Sequence, residues 1–180
     1  MQYGRNKMEL LGTILKRRSV RRYTEEEIPK EKLEKILLAG LMAPTSRNLK
    51  PCTFYLIKKR EILVQLSKVK KMGGGMLADS NAAIVVCADS EKADTWIEDS
   101  SIALGYMHLM AAEQEVGSCW CQIHLRTAED GADAEERVRK ILNVSDRERI
   151  VGILALGMPQ EQPVPYTEAA ADWAKVIRIE

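Results

Sequence analysis

Residues 96–110 set the strictest condition on how this chain of 180 residues can fold. Trp96, Ile97, Ile102, Leu104, Met107, Leu109 and Met110 are spaced for a helix, yet they do not share one stripe. A helix apolar on most sides has to be covered on most sides, by a large core or by a subunit interface. A 20-kDa chain offers little interior for it, so an interface is the expected solution. Asp94 or Thr95 can cap this helix, which is read as running through Glu115, with Gly117 as its left-handed end.

The rest of the pattern surrounds that helix with strands and shorter helices. Met8, Leu11, Ile14 and Leu15 mark one face of a first helix. A second begins at Pro29, carries Leu33, Ile36, Leu37 and Leu41 at helical spacing, and stops at Pro44. Ile62, Leu63, Leu66 and Val69 form a third stripe, and residues 134–142 a surface helix. Residues 52–58, 82–88, 118–123 and 150–157 read as strands, and the continuous apolar runs at 82–88 and 150–157 suggest burial on both faces. The Gly73-Gly74-Gly75 run lacks the Gly-Lys-Ser/Thr ending of a nucleotide-binding loop and reads as a connector or lid. Together these elements predict one α+β domain over residues 1–180, with residues 159–180 as a C-terminal arm. The arm is polar and proline-containing but ends on Trp173, Val176, Ile177 and Ile179. Such an apolar tip needs a surface to pack on, on this chain or on a partner.

Composition removes several functional classes. With 27 Lys+Arg against 26 Asp+Glu there is no broad basic face for nucleic acid. The longest apolar runs are too short to cross a bilayer, and residues 1–7 lack the apolar core of an export signal. The four cysteines, Cys52, Cys87, Cys119 and Cys121, read as structural thiols in a reducing cytoplasm. His108 and His124 stand at no metal-ligand spacing, so no metal is expected. His108, on the apolar helix, reads as a hydrogen-bonded core residue, and Asp99 as a buttress of that helix.

Against this balanced charge, Arg17-Arg18-Ser19-Val20-Arg21-Arg22 concentrates four arginines and a serine in six residues. The guanidinium fork matches phosphate oxygens two at a time, and a hydroxyl adds a neutral donor. The patch therefore suits a small multivalent anion, with a solvated charged loop as the other reading.

Four segments in register resemble the FMN-dependent nitroreductase family. They are Arg17-Arg18-Ser19-Val20-Arg21 followed by Tyr23, and residues 38–51 with Ala43-Pro44-Thr45-Ser46-Arg47-Asn48 and Pro51. The others are Val116-Gly117-Ser118-Cys119-Trp120 and Leu154-Ala155-Leu156-Gly157-Met158-Pro159. The resemblance implies a three-layer α/β/α arrangement around a central mixed, largely antiparallel sheet, in an intertwined homodimer with FMN at the interface. It implies hydride transfer from NADH or NADPH through FMN to a small acceptor such as a nitroaromatic or quinone. A different flavin reaction on the same fold, or a non-catalytic flavin-binding protein, are the alternatives. By the same resemblance Arg17, Arg18 and Ser19 would hold the phosphate end and Arg21 the pyrimidine edge of the flavin. Pro44, Thr45, Ser46 and Asn48 would come from the other subunit, and Cys121 and Gln122 would present backbone N–H groups to the ring. No side chain is expected to act as a catalytic nucleophile. The sequence departs from the family at Lys50 and Cys52. It also lacks basic residues over 160–168, where Arg47 or Arg178 would have to compensate.

Overall fold

The computed structural model describes residues 10–180. Met8 and the N-terminal stretch read for an export signal lie outside the described residues. Helix α1 (Leu10–Lys16) and α2 (Lys30–Leu41) precede strand β1 (Cys52–Ile57). Helices α3 (Arg60–Leu66) and α4 (Met76–Asp79) lead into β2 (Ala82–Asp89). Then follow α5 (Trp96–Glu113), β3 (Gly117–Gln122), α6 (Ala134–Leu142) and β4 (Glu148–Gly157). The strands form one sheet in the order β1-β2-β4-β3. Every strand pair is antiparallel. The mixed character comes down, among the described residues, to a parallel bridge between Ser19 and Ser118.

Period-two alternation splits β2 between two cores. Ala83, Val85 and Cys87 pack with α3, α4 and α6, while Ala82, Ile84, Val86 and Ala88 pack with α2 and α5. Both faces of the central strands are thus covered, which is why these runs are continuously apolar. A bulge interrupts β4: Val86 pairs Gly152, but Cys87 pairs Ile150, leaving Val151 as the extra residue. The side-chain parity of β4 shifts there, so Ile150 and Ile153 reach one core while Val151 and Leu154 reach the other.

Helix α5 lies on the sheet through Trp96, Ala103, Leu104, Met107 and Ala111, and leaves Ile97, Ile102 and Tyr106 exposed. Next to them Leu38 and Leu41 of α2, Met42 just after it, and Leu10, Leu11 and Ile14 of α1 are exposed as well. Of the stripe expected to bury α1, Leu11 and Ile14 are thus exposed and Leu15 is half-buried, and the buried residue of that helix is Thr13, which donates to Glu113 Oε2 at 2.6 Å. The end of α5 also differs from expectation. The left-handed residue is Glu115 (φ 59°), and Gly117 begins β3 instead. Gly117 is needed for closeness: a Cβ there would stand 2.9 Å from Val20 Cγ1.

Two short segments are seated more firmly than a loop reading suggests. Gly73–Gly75 leads into α4, whose Met76 and Leu77 are buried and anchor it. The arm after β4 returns across α1, with the Tyr166 N–H donating to Leu15 O at 2.9 Å. Its terminal Trp173, Val176, Ile177 and Ile179 remain exposed.

Candidate functional site

The arginine-rich motif leaves α1 and lies against the β3–β4 end of the sheet. Val20 N–H donates to Ser118 O and Thr24 N–H to Met158 O, each at 2.9 Å, and Gln160 N–H donates to Arg22 O. Tyr23 bridges Pro159, its hydroxyl donating back to Val20 O at 2.7 Å. A Cβ on Gly157 would meet the Tyr23 ring at 2.5 Å, so glycine lets the motif approach the sheet.

The motif's side chains go to different places. Arg17 donates to the buried His108, Nη1 to Nε2 at 3.1 Å. Arg18 turns away: it stacks on the Tyr166 ring at 4.2 Å and donates to Val164 O, so it latches the arm. The returning arm supplies the aromatic platform that draws Arg18 there in the single chain. Ser19 and Arg21 are exposed, and Arg21 Nη1 reaches Ser19 O at 3.5 Å.

Beside the motif runs the outer edge of β3. Because Ser118 O accepts from Val20, alternation turns the backbone groups of Ser118, Trp120 and Gln122 outward and those of Cys119 and Cys121 toward β4. Cys121 is thus displaced from its expected role. Its backbone pairs with Ile153, and its thiol is buried in the core, 3.5 Å from Gly73 O. Trp120 and Gln122 hold the outward positions. The Trp120 indole donates to Gln122 Oε1 at 3.0 Å, which fixes that side chain.

A second cation arrives from the glycine-run segment. Lys70 Nζ donates to Gln122 O at 3.0 Å. Sequence reasoning missed this residue, whose signal was only that two lysines precede the glycines. Burial pushes the Cys119 thiol up, while Arg21, Ser19, Lys70 and Arg17 all act in the opposite direction. Of these, Lys70 bonds β3 directly, Ser19 and Arg21 lie exposed beside it, and Arg17 lies on its α5 side against His108. Cations, an exposed hydroxyl and an outward peptide edge form a donor set suited to a flat ligand carrying an anionic group.

The loop holding Pro44, Thr45, Ser46 and Asn48 is elsewhere. Ser46 N–H donates to Asp99 Oδ1 at 2.9 Å, and Lys50 N–H to Thr45 Oγ1 at 3.0 Å. Arg47, Asn48 and Lys50 all have positive φ, a strained backbone held in place by these bonds. Asp99 thus buttresses the loop as well as α5. The loop sits at the β1 side, three inter-strand spacings or roughly 14 Å across the sheet from β3. The single chain does not bring the two groups of candidate residues together. Arg47 pairs with Asp94 at 2.8 Å on that far side, and so does not supplement the arginine motif of its own chain.

His124, at the end of β3, enters a buried ionic cluster. Its ring meets Trp96 edge-on at 5.0 Å, and its Nδ1 lies 3.6 Å from Glu135 Oε2. Burial pushes the Glu135 carboxyl up. Arg149, the Ile150 N–H and His124 outweigh it and hold the group below the usual range. This cluster ties α6 to β4. Among the described residues no group of His, Cys, Asp or Glu is arranged to hold a metal ion, and no helix is long and apolar enough to cross a membrane.

A model of the Nitroreductase family matches residues 14–74 and 64–158 of this chain. A protein from Archaeoglobus fulgidus, assigned as an NADH dehydrogenase/NAD(P)H nitroreductase, is 34% identical over 161 residues, spanning 86% of this chain and 87% of that protein. The solved FMN-dependent nitroreductase from Clostridium difficile R20291 superposes with a TM-score of 0.91 at 39% identity, covering 94% of this chain and 99% of the other. A structure from Desulfovibrio desulfuricans solved with FMN superposes at 0.76 over 97% of this chain and 98% of its own, and at 22% identity shows a shared fold.

Proposed function

This chain belongs to the nitroreductase family, and on that premise we propose that it is an FMN-dependent oxidoreductase. It takes hydride from NADH or NADPH and passes electrons to a small acceptor such as a nitroaromatic or a quinone. The observation that carries this reading is the arginine motif laid along the outer edge of β3, with Ser19 bridged to Ser118 and exposed beside Arg21, Lys70 on Gln122 O, and Arg17 held at the α5 end of the same motif. Bound FMN supplies the redox chemistry, and the chain supplies position and field.

In this reading Arg17 and Ser19 hold the phosphate end of the ligand. Arg21 and Lys70 place fixed positive charge along the strand, which favours the more electron-rich form of a bound redox ligand. The outward peptide groups of Trp120 and Gln122 offer hydrogen bonds to its ring edge. Pro44, Thr45, Ser46 and Asn48 complete the pocket from a second copy, and exclude water by covering it. A homodimer with two equivalent sites follows. The exposed apolar residues of α1, α2 and α5, and the arm's apolar tip, support that assembly. The four free thiols suit a reducing compartment, the cytoplasm.

The test is optical. Purified protein titrated with FMN is expected to turn yellow, bleach on NADH or NADPH, and recover colour with nitroaromatic or quinone acceptors. Protein that ignores added FMN would replace this reading with a non-catalytic binding module. Protein that bleaches but recovers with none of these acceptors would point to a different flavin reaction.

A further inference from the structure

We propose that His108 is a positioning residue that orients the Arg17 guanidinium toward the phosphate of the flavin nucleotide without neutralising it. The inference rests on the reading of Arg17 as a phosphate ligand. His108 is 7% exposed, on the face of α5 beneath the motif. Its Nε2 lies 3.1 Å from Arg17 Nη1, and its Nδ1 lies 2.6 Å from Ser118 Oγ.

A guanidinium only donates, so Nε2 must be the accepting nitrogen and the ring proton must sit on Nδ1, donated to Ser118. Ser118 is also the residue whose carbonyl receives the Val20 N–H. One imidazole thus spans the first and fourth residues of the motif through β3. Burial, and then the Arg17 charge, push the His108 pKa down to about 4, so the ring stays neutral and accepting at neutral pH.

The chemical type of this partner matters. A carboxylate at the same place would orient Arg17 equally well but would cancel its charge and weaken its attraction for an anion. A neutral acceptor engages one N–H, leaves the rest of the fork for a ligand, and leaves the charge intact. The two acidic side chains at the end of α5 and just past it are engaged elsewhere: Glu113 accepts from Thr13 and Glu115 pairs with Lys16.

The experiment compares FMN with riboflavin, which lacks the phosphate, by fluorescence titration of the full-length apoprotein. His108→Leu is expected to weaken FMN about tenfold while riboflavin changes by less than about twofold. His108→Gln, whose amide oxygen can replace Nε2 as acceptor, is expected to restore most of the FMN preference. Equal weakening of both ligands by His108→Leu would mean a structural role and overturn the proposal. Arg17→Ala abolishing the preference while His108→Leu spares it would overturn the proposal alone. Arg17→Ala leaving the preference intact would overturn the phosphate reading and this inference with it. Should His108→Leu fail to fold, 15N NMR of the wild-type imidazole decides: a protonated Nδ1 and bare Nε2 at neutral pH support the proposal, and a protonated Nε2 overturns it.

Discussion

Arg17, Arg21 and Arg22 lie within six residues but in different surroundings, and their substitutions are expected to separate. Arg17→Ala should weaken FMN binding by about 1.5–3 kcal/mol, the range for a hydrogen bond to a charged group, or about tenfold to hundredfold. Arg21→Ala should lower the reduction potential of the bound flavin more than it weakens oxidised FMN, since its charge lies along the open strand. Arg22→Ala should be nearly neutral, because the described contact of Arg22 is its backbone carbonyl, which alanine retains. FMN titration of the three proteins, with potentiometry on Arg21→Ala, checks the series; equal and negligible effects would leave only a solvated basic loop. His108 makes a separate prediction in pH. Its folded pKa of about 4 lies below its ordinary value of 6.5, so between these values the unfolded chain binds a proton that the folded chain refuses. Stability is therefore flat above the upper value and falls as pH drops toward the lower one, by on the order of 3 kcal/mol. Urea unfolding across that window, compared with His108→Gln, is expected to show the loss in wild type and a shallower slope in the variant.

At the scale of elements, the site depends on how closely the motif can lie on the sheet. Gly157 ends β4 directly beneath the Tyr23 ring, and Tyr23 holds Val20 through its hydroxyl. Gly157→Ala is expected to push the ring outward and cost about 1–3 kcal/mol, the usual range for overpacking. The displacement should carry Ser19 and Arg21 with it, so FMN should weaken along with the melting temperature. Thermal denaturation with FMN titration checks this; a lowered melting temperature with unchanged FMN affinity would show that the motif is positioned independently of Tyr23. Helices and strands were legible in outline because apolar spacing reports burial. Residues 134–142 were read as the helix that forms, and residues 82–88 differ from β2 by one residue. The bulge at Val151 was not legible, because it depends on the register of two strands distant in sequence.

At the scale of the whole molecule, the proposed dimer joins two observations. The candidate loop at Thr45 and Ser46 stands across the sheet from the arginine motif, and large apolar side chains are exposed on α1, α2 and α5. Burying those side chains and both arms is expected to cover well over ~2,000 Å² in total, the size of an obligate interface. Sedimentation at low micromolar concentration is expected to give a dimer of about twice the 20.3 kDa chain mass. A stable folded monomer would remove the two-chain site. Truncation before Trp173 should weaken both the assembly and FMN retention.

What the sequence determined by itself was local or periodic: a helix apolar on most of its sides, the two doubly buried strands, and an arginine cluster out of keeping with a balanced charge. Each depends on spacing along the chain, which hydrophobicity and charge record directly. What only the tertiary structure decided was direction. Arg18 goes to the arm because Tyr166 returns to meet it, and Lys70 reaches Gln122 O because the segment before the glycine run lies against β3. Cys121 turns its peptide groups to β4 because the pairing of Val20 with Ser118 settles which groups of β3 face out. Those outcomes depend on contacts between residues far apart in sequence, formed once the core has closed, and no single segment contains them.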